Sequence, residues 1–88
     1  MNSPAEDSAA RLLRVTAQLV RETHPGRQIP VTLDSPLERD LGLDSLARVE
    51  LLLRLSREFG VALPEAALAE AQTPRELLRF IGPAAPAA

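Results

Sequence analysis

Residues 45–59 read SLARVELLLRLSREF, and the four residues ahead of them read LGLD. On a wheel of about 100° per residue, with Leu46 at the origin, the apolar side chains of this stretch form two stripes. Leu51, Leu52, Leu55 and Phe59 cluster between about 140° and 240°. Leu46, Val49 and Leu53 lie almost opposite, between about 300° and 360°. Glu50, Arg54, Arg57 and Glu58 fill one gap between them. This spacing predicts a helix from Ser45 to Phe59, stopped by Gly60. One stripe serves a core. The other needs cover from a second element of the chain, or from a partner. Leu46, in the first turn, is the strongest candidate for exposure.

Upstream, Leu12, Leu13, Val15, Leu19 and Val20 recur at helical spacing, with Arg11, Arg14, Gln18 and Arg21 between them. They predict a first helix from about Asp7 or Ser8 to Glu22. His24-Pro25-Gly26 ends it, because proline disfavours helix at the residue before it. A long loop follows, from about Thr23 to Asp44. Its Ile29, Val31, Leu33, Leu37, Leu41 and Leu43 lack periodicity and suggest a loop packed on the core. Within it, Asp34-Ser35-Pro36 is suited to start one helical turn.

Downstream, a short helix is expected over about Pro64 to Ala69. A last one starts at Thr73-Pro74-Arg75-Glu76, where Thr73 is an N-cap, Pro74 fits the first turn and Glu76 completes a capping box. Leu77, Leu78 and Ile81 give it an inward face. No strand pattern competes. The fold class is therefore all-α: a four-helix bundle with three main helices, one short helix and a long loop between the first two. Residues 1–7 read as a flexible N-terminal segment, 8–82 as the domain and 83–88 as an Ala-Pro tail or linker.

The 88 residues suffice for one domain and carry ten Arg, no Lys and twelve acidic residues, a net charge of -2. That balance argues against a nucleic-acid binder. With no Cys, disulfide frameworks, thiolate metal sites and cysteine nucleophiles are excluded. No apolar run is long enough to span a bilayer. Residues 1–10 have neither a basic nor an apolar signal region, so a cytoplasmic location is expected.

Gly42-Leu43-Asp44-Ser45-Leu46 is the segment that carries chemistry. Asp or Ser at a helix start satisfies orphan backbone N–H groups, an effect of about 1 kcal/mol. One cap explains one of these two residues. Gly42 permits a tight turn that presents the next residues outward. A phosphate ester on Ser45 would lie at the positive end of the second helix. Ser45 does not read as a self-sufficient nucleophile, because the only histidine, His24, stands in a turn at the far end of the first helix. One His without Cys also leaves no metal set.

Leu41-Gly42-Leu43-Asp44-Ser45-Leu46, followed by Val49-Glu50-Leu51, resembles the signature of acyl carrier proteins. The resemblance extends over about residues 8–82, through the helix order, the apolar loop, Phe59-Gly60-Val61 and Thr73-Pro74-Arg75-Glu76-Leu77. It implies a bundle of acyl-carrier type with no catalysis of its own. By the same resemblance, Ser45 would receive a 4'-phosphopantetheine arm from coenzyme A, with Asp44 and Leu46 assisting recognition. Leu46, Val49 and Leu53 would form the partner-docking strip, with Glu50 as a rim carboxylate. The implied partners are a phosphopantetheinyl transferase, an acyl-loading ligase or acyltransferase, and a ketosynthase or other acyl-processing enzymes. Neither nucleic acid nor membrane is implied, and the chain would be a monomer.

One departure bears on the pathway. Residues 45–59 hold Arg48, Arg54 and Arg57 against Glu50 and Glu58. Carriers of fatty-acid synthesis tend to have a strongly acidic second helix, so this one looks more like those of polyketide synthases and related secondary-metabolite pathways. Two readings stand beside the carrier: a helical docking or scaffold module in which Asp44-Ser45 is only a cap, and a small serine hydrolase that lacks a base.

Overall fold

The computed structural model describes the backbone of residues 4–81 and the side chains in that range except those of residues 4–7 and Leu68. Among the described residues four helices occur in order: α1 (Pro4–Thr23), α2 (Ser45–Phe59), α3 (Ala66–Glu70) and α4 (Pro74–Ile81). Among the described residues there is no strand. Helix α1 packs on α2 and α4, and α3 touches both α2 and α4.

Helix α1 begins at Pro4, ahead of the expected Asp7 or Ser8. Proline is tolerated in a first turn because its missing N–H would have no partner there. Residues 4–7 are thus helical. The expectations for residues 1–3 and for the 83–88 tail lie outside the described residues. Helix α3 is shifted too, covering Ala66–Glu70 where Pro64–Ala69 was expected.

The core takes Leu12, Leu19 and Val20 from α1, Leu51, Leu52, Leu55 and Phe59 from α2, Ala67 from α3, and Leu77 and Ile81 from α4. Leu41 and Leu43 of the loop are as deeply buried as any helix residue, and Leu37 nearly so. Each such leucine removes its side chain from water, a gain of about 1.5–3 kcal/mol. A buried loop must still satisfy its backbone. Leu37 N–H donates to the Gln72 carbonyl at 2.8 Å, Leu43 N–H to the Leu37 carbonyl at 2.9 Å, and Arg75 N–H to the Leu33 carbonyl at 2.9 Å. The expected turn at Pro36 forms, with Asp40 N–H donating to the Pro36 carbonyl at 3.0 Å.

The helix ends follow their local chemistry. Gly60 closes α2 at φ 66°, its N–H donating to the Ser56 carbonyl. At the start of α4, Glu76 N–H donates to Thr73 Oγ1 at 3.3 Å. The Glu76 carboxylate reaches back to accept the Gln72 N–H at 2.6 Å, one residue beyond the usual capping-box partner. Arg11 clamps α1 to the far end of α2: its Nε donates to Glu58 Oε2 at 2.8 Å, and its guanidinium carbon lies 4.8 Å from the Phe59 ring centre.

Candidate functional site

The site is the entry to α2. Leu41 and Leu43 are fully buried and fix the chain on either side of Gly42. Gly42 stands at φ 65°, a left-handed conformation that side chains disfavour. A Cβ there would also overlap the His24 ring. His24 Nε2 lies 3.1 Å from the Gly42 carbonyl oxygen. A carbonyl only accepts, so Nε2 donates. His24 is half-buried. From the turn where it was expected, it ties the end of α1 to the segment that leads into α2.

Asp44 is the N-cap of α2, with extended backbone and its Oδ1 accepting the Ala47 N–H at 2.9 Å. Ser45 is thus the first helical residue and is not the cap. Its side chain is exposed, and among the described residues no hydrogen bond engages its hydroxyl. Ser35 is buried, Ser8 and Ser56 are half-buried, and Ser45 is the one described serine that is exposed. The cap leaves the first backbone N–H groups of α2 without an intrahelical partner.

Beside the serine runs the second stripe of α2. Leu46 is 78% exposed, Val49 39% and Leu53 50%. The opposite stripe of Leu51, Leu52, Leu55 and Phe59 is buried. Neither the loop nor α3 covers Leu46, Val49 and Leu53, so the first of the two covers that the wheel left open is absent for these residues.

Glu50, expected on the rim, is already engaged: its Oε2 accepts from Arg54 Nε at 2.8 Å. Arg54 also donates to Glu22 of α1, at 2.6 Å and 3.1 Å. The Arg54 hydrogen bond, helped by one from Gln18, pulls the Glu22 carboxyl down from the ordinary 4.5 to about 2. No group of three or more potential metal ligands occurs among the described residues. None of the described helices is long and apolar enough to cross a membrane.

Residues 10–81 match the family described as phosphopantetheine attachment site. The chain belongs to the acyl carrier family. It is 39% identical over 79 residues to the anthracycline acyl carrier protein DpsG of Streptomyces peucetius, covering 88% of this chain and 89% of that one. It is 38% identical over 69 residues to the acyl carrier protein of Treponema pallidum (strain Nichols), covering 78% and 87%. The actinorhodin polyketide synthase acyl carrier protein of Streptomyces coelicolor is 45% identical over 42 residues, about half of either chain at 48% and 49%. As a family member the chain is a carrier and not a catalyst, it carries a covalent 4'-phosphopantetheine, and it works with biosynthetic enzymes. The residues present fit that group: a phosphate ester on the free Ser45 hydroxyl would meet unpaired N–H groups and a helix dipole.

Proposed function

We propose that Ser45 is the attachment residue and that the chain carries acyl intermediates of polyketide assembly. The observation that carries the reading is the free, exposed Ser45 hydroxyl directly behind a cap already supplied by Asp44. The scaffold alternative assigns Asp44-Ser45 to capping alone, and Asp44 meets that need by itself. The hydrolase alternative needs a base hydrogen-bonded to Ser45, and among the described residues none engages its hydroxyl.

Coenzyme A is the donor of the arm, and a separate phosphopantetheinyl transferase makes the bond. The terminal thiol of the arm supplies the chemistry, holding acyl groups as thioesters. This chain's own residues present and steer. Leu43 and Gly42 hold the turn, Asp44 keeps the helix start ordered, and Leu46, Val49 and Leu53 give the enzymes an apolar strip. The Glu50–Arg54–Glu22 chain of charge borders that strip. Such a small surface suits the short-lived docking that a shuttle needs. An acyl-loading ligase or acyltransferase and a ketosynthase are the partners proposed, with the chain a monomer in the cytoplasm. The carrier module is proposed as about residues 8–82 with α1 extended to Pro4, followed by a linker at 83–88. The polyketide assignment is supported by the anthracycline and actinorhodin relatives and by the excess of arginine over acid in α2.

Intact-mass spectrometry after incubation with coenzyme A and a broad-specificity transferase tests this. A phosphopantetheine increment is expected on the parent chain and absent from Ser45→Ala. An increment that survives in Ser45→Ala moves the attachment elsewhere. No increment on the folded parent refutes the reading.

A further inference from the structure

Arg48 is an anomaly on α2. On the wheel it falls at about 200°, inside the arc that Leu51, Leu52, Leu55 and Phe59 occupy, and it is the only charged residue there. It is half-buried, and its Nε is shut off from solvent without a hydrogen-bond partner. A buried donor left unpaired is destabilising, so its presence in an otherwise apolar stripe calls for an acceptor.

Arg48 lines a cleft of about 190 Å³, walled also by Pro36, Glu38, Arg39, Ala69 and Gln72. Two arginines and one glutamate are thus among its lining residues. Among the described residues neither Arg39 nor Arg48 forms an ion pair, unlike Arg11, Arg54 and Arg75. Arg48 lies one turn after Ser45. Side chains three apart on a helix have their Cβ atoms about 5–6 Å from each other. Long side chains on a helix also lean toward its N-terminus, which here is the Ser45 end.

We propose that this cleft seats the phosphodiester of the arm, with Arg48 as its hydrogen-bond donor and Arg39 as a second positive charge. The inference rests on Ser45 being the attachment residue. A phosphodiester is a monoanion with oxygen acceptors that match a guanidinium. Seated there, the first bonds of the arm are directed along the loop and α3 side of the molecule. The Leu46, Val49 and Leu53 strip stays clear for a docking enzyme. Arg39 and Arg48 are positioning residues: they fix where the arm leaves the protein.

The test uses the full chain in apo form and in holo form without cargo, with the phosphopantetheine increment first established by mass. The Arg48 Nε–H resonance is followed by NMR between the two forms, and the single phosphorus resonance of the holo protein is compared across parent, Arg48→Gln and Arg39→Gln. A shift of the Arg48 Nε–H on attachment is expected. So is a shift of the phosphorus signal in Arg48→Gln, with a smaller one in Arg39→Gln. An unmoved Nε–H in the parent overturns the proposal without recourse to a variant, so misfolding of Arg48→Gln does not protect it. A chain that gains no mass refutes the attachment reading and this inference with it. A chain that gains mass with both signals unmoved refutes only this inference.

Discussion

Gly42 meets two independent restrictions, a left-handed backbone and the His24 ring packed against its Cα. Gly42→Ala should destabilise the chain by at least about 1–2 kcal/mol from the backbone alone. The histidine should add to that. Repeating the substitution in His24→Ala isolates the second part, and equal losses in the two backgrounds, read from denaturant unfolding, would mean that the ring imposes nothing. Asp44→Ala should cost about 1 kcal/mol through loss of the α2 cap, while Asp44→Asn should keep most of it. The turn at Gly42 and a cap at Asp44 or Ser45 were legible in sequence because caps and turns are decided by neighbours; which of the two caps was left open. The role of His24 was not legible, because its partner is 18 residues away and the intervening loop gives no periodic signal that would bring them together.

Helix α2 is legible almost entirely from its wheel: both stripes appear where the spacing puts them, and one is buried while the other is exposed. Large-to-small changes should therefore divide by stripe. Leu55→Ala, at a fully buried position, should lower stability by about 2–5 kcal/mol, measured by thermal or denaturant unfolding. Leu46→Ala should stay within about 0.5 kcal/mol of the parent yet slow the reactions of partner enzymes with the loaded chain. Unchanged rates with every partner would remove Leu46 from the docking surface. The end of α2 was read correctly because Gly60 is a local signal. The start of α1 was read late, because the polar residues of its first turns carry no apolar spacing to announce a helix. Arg48 escaped the wheel reading as well. It counted as one charge among several, and only the packed structure shows that its Nε has been taken out of water.

At the scale of the molecule, ion pairs far apart in sequence staple the bundle. Arg54 joins α2 to Glu22 of α1, and Arg75 of α4 holds Asp34 of the loop at 2.9 Å and 3.1 Å. The hydrogen bond from Arg75 lowers the Asp34 carboxyl below its ordinary value, as Arg54 lowers Glu22. Carboxylates with lowered folded-state pKa contribute stability that is complete above their unfolded values and is lost as the pH falls through the folded ones. For Glu22 that window runs from 4.5 down to about 2. The melting temperature should therefore fall with pH across it, and Glu22→Gln should flatten the fall. Because the pairs are exposed, the effect should be small and should shrink further at high salt. A fall in Glu22→Gln as steep as in the parent would assign the acid response to other groups. No local pattern in the sequence links residues 32 or 41 positions apart, so these pairs became visible only with the fold.

The bare stripe of α2 has a consequence for how such a chain diversifies. Leu46, at 78% exposure, contributes little to holding the bundle together, and Val49 and Leu53 less than the buried stripe does. Where enzymes dock on this strip, as proposed, a lineage can be re-addressed to a new set of them through a handful of codons, with the hydroxyl, its turn and the interior inherited intact.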